Sequence, residues 1–86
     1  MDLKHISAFG TEYWKDDNGS FHRDDGPAVI HPDGTQFWYQ HGVRHRLDGP
    51  AIMTSRGECK WYIHGVHINC NSNEEFLRIV KIRSFL

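Results

Sequence analysis

Gly19-Ser20-Phe21-His22-Arg23-Asp24-Asp25-Gly26-Pro27-Ala28 and Gly42-Val43-Arg44-His45-Arg46-Leu47-Asp48-Gly49-Pro50-Ala51 are one pattern written twice, 23 residues apart. The leading glycine, the His-Arg pair and the Asp-Gly-Pro-Ala run all fall in register. Working outward, Gly34 recurs as Gly57 and Trp38 as Trp61, while Trp14 comes one residue early because the turn Asp16-Asp17-Asn18-Gly19 is longer. A third copy opens with Trp61-Tyr62-Ile63-His64-Gly65 and then decays, with Ile68 and Asn69 in place of His and Arg. A fixed period of this size means one supersecondary unit per copy, stacked on its neighbours, and decay at one end marks a cap.

Within each unit the grammar is β. Thr35-Gln36-Phe37-Trp38-Tyr39-Gln40 is a run of strand formers ending at His41-Gly42, a short turn from which Val43-Arg44-His45 returns antiparallel. Asp48-Gly49-Pro50 breaks the ladder, since proline lacks a donor and glycine accepts unusual dihedrals. Ala51 to Thr54 is the next short strand, turned at Ser55-Arg56-Gly57 into Glu58 to Ile63. In the tail, Ser72-Asn73-Glu74-Glu75 is a capping box. Behind it Phe76, Leu77, Ile79, Val80, Ile82, Phe85 and Leu86 make a helix apolar on more than half its circumference. Ile6, Ala8 and Phe9 point to a leading strand. The fold expected is mainly β: an antiparallel meander of 23-residue hairpin repeats closed by one C-terminal helix. Its parts are a leading segment (1–10), repeat 1 (11–34), repeat 2 (35–57), a partial repeat 3 (58–71) and a capping helix (72–86).

Composition bounds function. Eighty-six residues make one small domain. Ten basic against eleven acidic side chains give a net charge of −1, which argues against a nucleic-acid binder working through a general positive field and against a polybasic membrane peptide. No apolar run approaches the ~20 residues of a membrane helix. Met1 to His5 does not read as a signal peptide. Two cysteines, Cys59 and Cys70, are too few to staple a secreted mini-protein, so a reducing cytoplasm is the expected compartment.

The period and hairpin core resemble the MORN (membrane occupation and recognition nexus) repeat. The resemblance lies in an aromatic three residues before a glycine and a histidine three after it: Tyr39, Gly42 and His45, with Tyr62 and Gly65 matching the first half. Where the common pattern has His-Gly, this chain has His22-Arg23 and His45-Arg46 followed by Asp-Gly-Pro-Ala. That variant is similar to short repeat proteins of bacteriophage and large viruses. The resemblance covers about residues 11 to 70. It implies a binding scaffold, a host protein as partner and a host cytoplasm as setting.

Several side chains are candidates for chemistry. His22-Arg23 and His45-Arg46, stacked one repeat apart, would form rows of imidazole and guanidinium suited to an anion; equally, Arg23 and Arg46 could pair with Asp25 and Asp48 or cap the Gly-Pro corner carbonyls. Alternation puts Trp14, Trp38 and Trp61 on one face of the sheet and Tyr39 and Tyr62 on the other. One helix covers part of one face, and exposed tyrosine beside arginine is the makeup of a protein-binding hot spot. Cys59, His64, His67 and Cys70 are all zinc-ligand types, but C-x4-H-x2-H-x2-C is not a usual pairing of ligands, and His64 matches the turn position of His41. No nucleophile elbow, zinc-protease helix or phosphate loop is present, so neither an enzyme nor a cofactor is expected.

The expected function is non-enzymatic binding of a host protein, blocking a bacterial defence or housekeeping factor, with Tyr39, Tyr62, Arg23, Arg46, His22 and His45 as binding residues. The alternative is sequestration of a small anionic nucleotide by the Arg and His rows. A third reading is self-assembly into a homo-oligomer through the open sheet edge.

Overall fold

The computed structural model describes residues 3–83. Nine short strands and one helix follow in chain order: β1 (Leu3–Ile6), β2 (Glu12–Lys15), β3 (Val29–Ile30), β4 (Gln36–Phe37), β5 (Tyr39–Gln40), β6 (Val43–Arg44), β7 (Ile52–Met53), β8 (Cys59–Ile63), β9 (Val66–Ile68) and α1 (Asn73–Ile82). All pairings are antiparallel. Seven strands form one sheet in the order β1-β2-β3-β4-β7-β8-β9, and β5-β6 form a separate hairpin. The fold is therefore the meander closed by a C-terminal helix that the repeat implies.

The long aromatic strand of each repeat serves two ladders. In repeat 2 it is not continuous: β4 ends at Phe37, β5 begins at Tyr39, and Trp38 lies between them. The Trp38 N–H donates to Ala51 in the sheet, while its carbonyl accepts the His45 N–H from the hairpin side. Trp14 repeats this, donating to Ala28 and accepting from His22. β8 is unbroken but divides in the same way, with Cys59 and Lys60 paired to β7 and Trp61 to Ile63 paired to β9. The result is a sheet with a row of hairpins continuing from it, and a tryptophan at each junction.

The hairpin tips have a common cause. His41 and Gly42 have φ of 50° and 83°, and His64 and Gly65 have 48° and 81°. Positive φ at both central residues of a two-residue loop is the type I′ signature, the turn whose twist suits a hairpin. Histidine tolerates this region better than most non-glycine residues.

Two expectations need correction at the ends of the chain. The leading strand is Leu3–Ile6, and Ala8 and Phe9 lie in a turn before Gly10, with Phe9 91% exposed. The helix buries a narrow stripe and not most of its circumference. Phe76 is fully buried and Ile79 and Val80 are half-buried, but Leu77 and Ile82 are 43% and 72% exposed. The Ser72 hydroxyl accepts the Glu75 N–H, and the Glu75 carboxylate accepts the N–H of Asn71, so the capping box forms with its return bond one residue early. Phe85 and Leu86 lie outside the described residues. Among the described residues no helix is long and apolar enough to cross a membrane.

The core is small. Phe76 packs with Trp61, Ile63 and Ile68 against the partly buried Cys59 and Cys70. The repeated alanines, Ala28 and Ala51, are completely buried beside Val29 and Ile52.

A candidate binding face

Strand register sorts the side chains into two faces. Lys4, Trp14, Trp38 and Trp61 share one; His5, Tyr13, Lys15, Phe37, Tyr39, Arg44, Lys60, Tyr62 and His67 share the other.

The tryptophan face is partly covered from within. The Arg23 guanidinium lies 3.9 Å from the centre of the Trp14 ring and that of Arg46 lies 3.8 Å from Trp38. Each arginine is also held at its own corner. Arg23 donates from Nε to Asp25 (3.3 Å) and from a terminal nitrogen to the Pro27 carbonyl (3.2 Å). Arg46 donates likewise to Asp48 (2.8 Å) and Pro50 (3.1 Å). Both structural roles considered for these arginines thus occur together. Repeat 3 has Asn69 at this position, and there Phe76 of the helix meets the Trp61 ring at 6.2 Å while Asn73 accepts the indole N–H. The helix replaces the missing guanidinium. Trp38 Nε1 is buried and has no hydrogen-bond acceptor among the described residues.

The histidines join one repeat to the next. His22 Nδ1 accepts the backbone N–H of His41 at 3.0 Å, and His45 Nδ1 accepts that of His64 at 2.9 Å. The two imidazoles of each joint stack, 4.0 Å and 4.3 Å apart. An accepting Nδ1 carries no proton, so a neutral ring has its hydrogen on Nε2; that of His22 lies 2.9 Å from Asp24. Position 47 is leucine, so the second joint lacks the equivalent carboxylate. Burial, and then the neighbouring His64, push the His45 pKa down. The first joint has a second anchor in His41, whose Nδ1 lies 2.7 Å from Asp16. That bond, followed by the Ser20 N–H, holds the Asp16 carboxyl below its usual range.

The opposite face carries an unbroken row. Every hairpin sets an aromatic opposite a basic residue: Lys15 across from Phe21, Arg44 from Tyr39, His67 from Tyr62. Neighbouring hairpins are in contact as well, with Phe21 and Tyr39 rings 5.4 Å apart and the Arg44 guanidinium 5.4 Å from the Tyr62 ring. At the outer end Lys15 sits over Tyr13, and His5 stacks on Tyr13 at 5.0 Å. The hydrogen bonds that Arg44 donates to Tyr39, and secondarily to Tyr62, raise its pKa against the opposing effect of burial. Beside the row, Thr11, Tyr13, Phe21, Val29, His31 and Phe37 help line a basin of about 330 Å³. Over the described residues the fold is only 17 Å in its thinnest direction, and the helix packs on the tryptophan face. The row is consequently partly exposed along its length.

The six residues proposed from sequence do not form one surface. Tyr39 and Tyr62 belong to this row, Arg23 and Arg46 lie on the opposite face, and His22 and His45 are set in the joints. The four zinc-ligand types are also dispersed: His64 stacks on His45, His67 leans on Tyr62, Cys59 donates to the Gly57 carbonyl, and Cys70 packs on the helix core. Burial raises the Cys70 thiol pKa. Among the described residues no group of three His, Cys, Asp or Glu converges to hold a metal ion. Arg44, Lys15, Phe21 and Tyr13 were not singled out by sequence. Their signal was parity: each falls on the tyrosine side once the hairpin register is drawn. The chain matches no family model, no curated protein and no solved structure.

Proposed function

We propose that this protein is a non-enzymatic binding module that docks a host protein on the hairpin row centred on Tyr39, Arg44 and Tyr62. The observation that carries the reading is the continuous, partly exposed alternation of rings and cations across all three repeats. Tyrosine and arginine dominate binding hot spots because each combines a large apolar body with directional hydrogen bonding. The resemblance to MORN-type repeats of viral proteins supports a host protein, in a host cytoplasm, as the partner. Nucleotide capture by Arg23 and Arg46 has less support, because both guanidinium groups already serve a carboxylate, a carbonyl and a tryptophan face. The test is hydrogen exchange on the protein alone and in complex with the partner it captures from host extract. Protection over 13–21, 37–45 and 60–67 is expected. Protection confined to the helix, 73–82, would refute the reading, and a homodimer in place of a complex would favour self-assembly.

A further inference from the structure

The net charge of −1 conceals a segregation. The only carboxylate within the described strands, Glu12, lies on the tryptophan side, where it pairs with Lys4 at 2.6 Å. Every charged side chain that the strands place on the tyrosine face is basic: Lys15, Arg44 and Lys60, with His5 and His67 beside them. The remaining described acids sit in turns, at the Gly-Pro corners and on the helix.

We propose that the partner of this face is an acidic protein segment, laid extended along the hairpin row with carboxylates over Lys15, Arg44 and Lys60 and apolar side chains over the rings. The inference rests on the binding reading above and names the chemistry of its partner. Alternate side chains of an extended peptide project to one side about 6.8 Å apart, so its carboxylates and apolar side chains can share the side turned to the row. Arg44, across from Tyr39 and 5.4 Å from the Tyr62 ring, presents a guanidinium whose fork suits a carboxylate. A single-stranded nucleic acid fits less well. The rings touch one another at 5.0–6.4 Å and so are not spaced to take bases between them.

All three tyrosines, Tyr13, Tyr39 and Tyr62, lie on this face and all three tryptophans on the other, so fluorine NMR of the full chain labelled with fluorotyrosine reports the face directly. The probes are a short peptide alternating Glu and Leu, its Gln-for-Glu counterpart and a thymidine oligonucleotide. The acidic peptide should shift all three tyrosine signals, and Lys15→Glu and Arg44→Glu should each weaken it about tenfold. If either reversal disturbs folding, Lys15→Gln and Arg44→Gln should weaken it in the same order. Equal binding of the Gln peptide would overturn the acidic partner and leave protein docking on this face standing. Displacement of the acidic peptide by the oligonucleotide would overturn it in favour of nucleic acid. An acidic peptide that moves tryptophan indole signals and no tyrosine would overturn both readings.

Discussion

Gly26 and Gly49 show how a repeated residue can be explained by its neighbour. The sequence explains them by backbone freedom, yet neither has a positive φ. A Cβ on Gly49 would come within 2.7 Å of the Arg46 guanidinium carbon, and one on Gly26 within 2.8 Å of that of Arg23. The glycine is there to let the arginine lie flat between corner and tryptophan. Gly49→Ala should therefore lift the guanidinium off Trp38 and cost about 1–2 kcal/mol, seen as a fall of roughly 4–16 °C in Tm for a chain of this size. Arg46→Lys should cost a similar amount, since an ammonium group cannot cover the ring while reaching both Asp48 and the Pro50 carbonyl. Circular-dichroism melts check both. The His-Arg-x-Asp-Gly-Pro-Ala spelling was legible as a unit; the close approach that requires its glycine was not, because it depends on where a long side chain folds back.

Among the elements, the hairpin joints and the helix carry the assembly. The His45 pKa is depressed in the fold, so the unfolded chain takes up a proton first as pH falls. The joint's contribution is complete above the unfolded value of about 6.5 and is lost as pH falls through the depressed folded value. Asp16 is also depressed, so its contribution persists until pH falls below about 3.8 and is then lost. Urea midpoints measured between neutral pH and pH 4 should decline, and His45→Asn, which keeps an acceptor for the His64 N–H but does not titrate, should flatten that decline. At the other end, Phe76→Ala should cost about 3–4 kcal/mol by opening the cluster around Trp61. That is a large share of a small domain's ~5–15 kcal/mol, and a chemical-denaturation curve would register it. The helix start was legible from Ser72 and Glu75, and the decay of repeat 3 foretold a cap. The exposure of Leu77 and Ile82 was not legible, since apolar residues all round a short helix do not say how many of them the sheet can cover.

For the molecule as a whole, the repeat divides work between two faces. Arginine, tryptophan, histidine joints and helix hold the array together, and the hairpin row faces outward. Net charge was a poor guide here. It averaged acidic turns with a basic face, and the separation appears only when strand register assigns each residue a side. Tyr39 and Tyr62 were legible as partners in one ladder because alternation alone fixes their side relative to tryptophan; Arg44 needed the pairing across the His41-Gly42 turn.

One paired measurement tests this division most directly: melting temperature and partner binding for the Tyr39→Ala/Tyr62→Ala double variant and for Arg46→Ala. The double variant is expected to stay folded and lose the partner at least tenfold, as hot-spot truncations of ~1.4 kcal/mol or more do, while Arg46→Ala melts lower and still binds below its melting point. A folded double variant that binds normally, beside a folded Arg46→Ala that does not, would contradict it and move the binding site to the tryptophan face.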